Sequence, residues 1–150
     1  CRLIEYMPVS LLADFTDRIF KPGCVVKVFC PVAKKEKWLI YASHNYNQNE
    51  VALVCINTEI NKKIFRSPRL KQLHLKLKKK RNDFLKWDSY ADCSKFFIFK
   101  FEEIKQILDK KQSVYLGEIS DRDYRQLRQI IVYAGTIPRE IKKEFGISFS

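Results

Sequence analysis

The chain has 150 residues, enough for a single domain with a real hydrophobic core. Hydrophobic residues make up 46% of it, with only four glycines and five prolines, which excludes a disordered or a fibrous protein. Its formal net charge of +12 points to polyanionic partners, and eleven basic residues between Lys62 and Lys86 face one acid, Asp83. Each lysine or arginine of that block can displace counterions condensed on a nucleic acid, although a merely solvated loop would carry the same charge. No apolar run approaches the ~20 residues of a membrane-spanning helix, so no membrane partner is expected.

The first residues hold Leu11, Leu12, Phe15 and Ile19 at helical spacing, which predicts a short amphipathic helix. Glu5, Asp14 and Asp17 deny this stretch the charge order of a signal peptide, and the opening on Cys1 is expected to reflect a trimmed start. Pro22-Gly23 marks a turn into the β-rich run Cys24–Cys30. Lys34–Lys37 reads as a charged loop, Trp38–Ala42 as a buried strand, and Val51–Asn57 as a third strand after a polar turn. His44 and Tyr46 fall in that polar region, where the histidine is expected to be solvated.

Leu73–Lys78 alternates strictly, so Leu75 and Leu77 should face the core, with His74, Lys76 and Lys78 on the other face. Phe96–Phe99 is a further strand. Glu102–Lys111 reads as a helix with Ile104, Ile107 and Leu108 on one face. Ser120-Asp121-Arg122-Asp123 fits an N-cap, opening a helix that buries Tyr124, Leu127 and Ile131 and stops near Gly135. A last short helix starts at Thr136-Ile137-Pro138 and ends before Gly146. Strands first and helices last predict an α+β fold, a small antiparallel sheet or barrel with helices packed on one side.

Five cysteines, at 1, 24, 30, 55 and 93, lack the close spacing of a zinc site and read as reduced core residues in a reducing compartment, the cytoplasm. No metal site and no cofactor are expected; Asp88 and Asp92 alone do not make one. The segment Lys86-Trp87-Asp88-Ser89-Tyr90-Ala91-Asp92-Cys93-Ser94 joins the basic block to an apolar strand. It packs a cation, aromatics, a carboxylate and a hydroxyl together, the groups that a metal-free ribonuclease needs for proton transfer and phosphate charge. Trp87, Tyr90 or Tyr46 could stack an unpaired base. A turn in which Asp88 and Ser89 satisfy backbone donors accounts for the same residue types.

Five stretches carry a resemblance to the PemK/MazF-like toxins of bacterial toxin–antitoxin pairs. Phe20–Val26 resembles the family's opening P-G-D-V strand, with Cys24 in place of the acid. Glu36–Tyr41 resembles its R-P-V strand. Val54–Thr58 resembles the strand that ends in Thr-Ser, and Lys86–Ser89 the R-x-D-Q segment. Leu116–Ser120 and the helix after it resemble the family's helix entry. The resemblance implies an SH3-like barrel with C-terminal helices, a homodimer, and metal-independent cleavage of single-stranded RNA opposed by an acidic antitoxin. It places Lys37, Thr58, Lys86 and Asp88 at catalytic positions, with both family arginines replaced by lysine. Lysine keeps the charge and loses the planar fork that grips phosphate through two hydrogen bonds.

One domain, 1–150, is therefore expected: an N-terminal extension over 1–20, a barrel over 21–99 with a basic insertion at 61–81, and a helical part over 100–146. The expected function is that of a toxin-like RNA-binding domain, an endoribonuclease of a toxin–antitoxin or defence system. His74, Lys76, Lys78, Lys79, Lys80, Arg81, Trp87 and Tyr90 would guide the strand. A non-catalytic barrel that binds nucleic acid or an acidic partner protein is the alternative, and a structural subunit with a solvated basic surface is the third.

Overall fold

The structure, a computed structural model, describes residues 16–31, 33–111 and 114–147. The expected helix around Leu11–Ile19 falls mostly outside them; a helical turn is described at 16–19. The elements run β1 (Cys24–Cys30), β2 (Lys35–Asn45), β3 (Glu50–Asn57), α1 (Pro68–Lys71) and β4 (His74–Leu77). After a 3₁₀ turn at Lys79–Arg81 come β5 (Ser89–Lys100), α2 (Phe101–Lys110), β6 (Tyr115–Glu118), α3 (Asp121–Tyr133) and α4 (Arg139–Glu144). The six strands form one antiparallel sheet in the order β4-β5-β3-β2-β1-β6, an α+β architecture.

Alternation sorts the apolar side chains between two cores. Val25, Ile40, Val54, Leu75, Leu77 and Ala91 meet Leu127 and Ile131 of α3 on one face. Val26, Val28, Leu39, Tyr41, Leu53 and Cys55 meet Ile104 and Leu108 of α2 on the other. Helices thus pack on both faces, not on one side as expected. Of the sheet or barrel expected, the structure has the open sheet, and the packing explains why it does not close into the SH3-like barrel that the resemblance implies. In a barrel one face is the interior; here both faces are already covered, and β4 and β6 remain as edges. The stretch after residue 100 is not wholly helical either, because β6 returns to pair with β1.

Strands reach further than the sequence suggested. β2 starts at Lys35, inside the expected loop, and runs through Asn45, so His44 is a strand residue. Its Nδ1 lies 2.6 Å from the Tyr41 hydroxyl and its Nε2 3.1 Å from Asn49 Oδ1, and Tyr46 stacks on the ring at 4.3 Å. β5 starts at Ser89, inside the expected turn. Its register against β3 shifts midway: Asp92 pairs with Cys55 and Phe97 with Leu53, so β5 bulges between them.

Helix α3 follows its sequence closely. Ser120 accepts the Asp123 N–H at 3.1 Å, and Asp121 and Asp123 complement the helix dipole. Lys142 closes the other end by donating to the Val132 and Ala134 carbonyls. Cys24, Cys30, Cys55 and Cys93 are buried free thiols, and burial pushes Cys24 and Cys93 up to about 12. Among the described residues no helix is long and apolar enough to cross a membrane.

Candidate functional site

At one end of the sheet the strands outrun their helical cover. The β2–β3 ladder ends with Trp38 opposite Ile56, while Lys35, Glu36 and Lys37 continue along β1. Beside them β3 ends at Asn57, and Thr58 follows. The loop before β5 crosses opposite. Between these segments lies a cleft of about 350 Å³, lined by Lys35–Trp38, Ile56–Thr58, Leu85–Trp87 and Ser89.

The loop that forms its rim is held from several directions. Asn82 Nδ2 donates to Asp123 Oδ2 at 2.9 Å and to the Lys78 carbonyl at 3.0 Å, and its Oδ1 accepts the Ser120 N–H at 3.0 Å. Arg81 Nη2 stands 3.6 Å from Oδ1 of Asp123, a residue with no exposed surface. Phe84 fills the space where Gly117 has no side chain; a Cβ there would sit 3.1 Å from its ring, and the backbone φ of +151° itself favours glycine. The loop is thereby fastened to the N-terminus of α3 and to β6.

This construction brings together Lys37, Thr58, Lys86 and Trp87, which come from three separate parts of the chain. Trp87 is 58% exposed, a large aromatic face left open beside two lysines. Asp88 does not join them. Its Oδ1 accepts the Lys79 N–H at 2.8 Å, so the carboxylate closes the 3₁₀ turn, as the turn alternative required. Glu36 is the carboxylate that lines the cleft instead.

The expected basic strip is only partly a surface. Leu75 and Leu77 enter the core as alternation requires, and Lys76, Lys78 and Lys80 are exposed. His74, expected to guide RNA from the face it shares with Lys76 and Lys78, is instead buried: its side chain is 1% exposed, with the Phe65 ring edge-on at 4.3 Å. Period-two alternation identifies the face but not what covers it. Lys79 turns its ammonium to the Leu85 carbonyl at 2.8 Å, and Arg81 is committed to Asp123. Tyr90 is half-buried, in register with Lys76 and Asn57.

A second, wider cleft of about 940 Å³ shares Lys35, Lys37, Asn57 and Thr58 with the first, and extends over the α2 face of the sheet. Lys62, Lys63 and Phe65 of the basic loop line it, with Asp92, Ser94 and Lys95 of β5. Asp92 and Ser94 lie in the segment that the sequence singles out for its chemistry, without a role of their own, and Lys95 lies just beyond it. Their signal was the period-two spacing of Asp92 and Ser94, hidden inside what read as a turn.

Cys55 lies in register with Asp92 on this face, and burial pushes its thiol up against the lowering pull of Lys37. It is therefore a neutral core thiol and not an activated nucleophile. Among the described residues no group of three or more histidines, cysteines and acids is placed to hold a metal ion. The chemistry on offer is cationic contact to an anion, aromatic stacking on Trp87, and hydroxyl and carboxylate hydrogen bonding. No protein-family model and no curated protein matches the chain.

Proposed function

We propose that the chain is a toxin-like RNA-binding domain whose first cleft holds a phosphate of single-stranded RNA, and that it cuts the strand there without a metal, in the manner of PemK/MazF-like toxins. The observation that carries this reading is the convergence of Lys37, Thr58 and Lys86 beside the open face of Trp87. Those are three of the four residues that the resemblance nominates; the fourth, Asp88, is engaged with the Lys79 N–H instead. In the chemistry, the ribose 2′-oxygen attacks the phosphorus, the bond to the 5′-oxygen breaks, and a cyclic phosphate is left. Lys37 and Lys86 stabilise the charge on the phosphorane. Glu36 takes the 2′-hydroxyl proton, and Thr58 relays a proton from solvent water to the leaving 5′-oxygen. Four buried free thiols suit a reducing cytoplasm. An acidic antitoxin would compete for the same cations, and a homodimer would follow the family pattern.

The engagement of Asp88 favours a second reading: the same cleft binds RNA, or an acidic protein, without cutting it. The two separate on a gel. Pure protein is incubated with mixed single-stranded RNA in EDTA, alongside Lys37→Ala, Lys86→Ala and Asp88→Ala. Cleavage lost in the two lysine variants and kept in Asp88→Ala supports catalysis at this cleft. Intact RNA that is shifted at low salt and released at high salt supports binding alone. RNA that is neither cut nor shifted at low salt rules out both RNA readings and leaves only an acidic protein as the ligand of this cleft.

A further inference from the structure

The second cleft combines two chemistries that oppose each other unless the ligand carries both. Lys35, Lys37, Lys62, Lys63 and Lys95 suit phosphate oxygens, yet the cleft also contains the Asp92 carboxylate, 5% exposed in its side chain. A carboxylate in a phosphate groove repels the ligand unless it accepts a hydrogen bond from it. Asp92 is equipped to accept one. Its Oδ1 already takes the Ser94 N–H at 3.0 Å and the Ser94 hydroxyl at 2.5 Å, with His74 Nε2 at 3.7 Å behind it. Oδ2 makes no hydrogen bond among the described residues. Asp92 lines the cleft, which leaves this oxygen as its free acceptor there.

The position of the acceptor selects the donor. Asp92 pairs in register with Cys55, and Lys37 is close enough to pull on the Cys55 thiol, so a phosphate-binding ammonium lies near the carboxylate. Lys95 follows three residues along β5. In a nucleotide the group that lies at phosphate depth and donates a hydrogen bond is the ribose hydroxyl; base amines project further out.

We infer that Asp92 is the residue by which this chain tells RNA from DNA: its Oδ2 accepts the 2′-hydroxyl while an adjacent phosphate rests on Lys37 and Lys95. The inference depends on the RNA-binding reading above. DNA offers no such donor and leaves a carboxylate facing the phosphates unpaired. Ser94 and His74 are positioning residues that hold the carboxylate in this orientation.

The test is fluorescence anisotropy with the full chain and one labelled single-stranded sequence made as RNA, as DNA and as 2′-O-methyl RNA, with strand integrity checked on a gel after each titration. Wild-type protein should bind RNA about tenfold more tightly than the other two, the value of one hydrogen bond to a charged group. Asp92→Asn should erase that preference, chiefly by strengthening DNA binding. A preference that survives the substitution, or wild-type binding that is equal for all three, overturns the role of Asp92 while leaving the RNA-binding reading intact. A preference among homopolymers that persists in DNA assigns the carboxylate to a base edge and overturns it equally. Binding to none of the three sinks both readings. Should Asp92→Asn fail to fold, the wild-type comparison of RNA with 2′-O-methyl RNA decides.

Discussion

Where α2 and α3 pack, Leu39 and Ile40 disappear into separate cores, one on each face of the sheet. Four residues earlier on the same strand, Lys35 and Glu36 are exposed and Lys37 is half-buried. Strand geometry continues across both regions, and only the helical cover stops. At the covered end, alternation must give two apolar sets, because each face needs a core. At the uncovered end both sets face water, so charges can be mounted on a rigid ladder at no cost to packing. Stability and the proposed RNA binding therefore fall to different stretches of the same strands.

That division can be broken by substitution. Leu127→Ala, in the core under α3, should cost about 2–5 kcal/mol in urea unfolding and leave RNA affinity per folded molecule unchanged. Asp123→Ala strips Arg81 and Asn82 of their buried partner. It should cost about 2–3 kcal/mol and, unlike the core substitution, also weaken RNA binding, because the loop that carries Lys86 and Trp87 loses its tie to α3. Ser120→Ala removes the N-cap of α3 and should cost about 1 kcal/mol.

Lys37→Gln combined with Lys86→Gln should move stability by less than about 0.5 kcal/mol. The slope of log affinity against log salt should nonetheless fall by about 0.7 for each phosphate that the protein no longer neutralises. A further effect is confined to alkaline pH. Cys24 and Cys93 keep their protons in the fold up to about 12, whereas an unfolded thiol releases its proton around 9.0. Above that value the unfolded chain binds fewer protons than the native one, so Tm should decline as pH rises past 9 and hold steady below it.

The clearest elements to foresee were those whose local chemistry agrees with their tertiary role. α3 has a serine cap, acids in its first turn and Leu127 and Ile131 one turn apart, all pointing the same way. The first half of β5 was hidden because Ser89, Tyr90 and Asp92 are types that turns also use. Pairing with both β3 and β4 decides their state, and no local signal carries that information. His74 was assigned to the right face and the wrong environment, because Phe65, nine residues earlier in a loop, covers it. In the candidate site, Lys37, Thr58 and Lys86 came from family resemblance, and Asp92, Ser94 and Lys95 needed the register between strands. The open sheet was not foreseeable from strand order alone, since the choice against a barrel depends on α2 taking the second face.

The anchors of the basic loop also set an order of events during synthesis. Lys86 and Trp87 owe their position to Gly117, Ser120 and Asp123, well downstream in the chain. A ribosome making the chain from its N-terminus exposes every lysine of the cleft well before the parts that shape it. The nascent protein can attract a polyanion by charge alone, but it can form the cleft only after α3 has left the exit tunnel. An RNA-cutting protein built this way would stay harmless to the message and the ribosome that produce it until its translation is nearly complete.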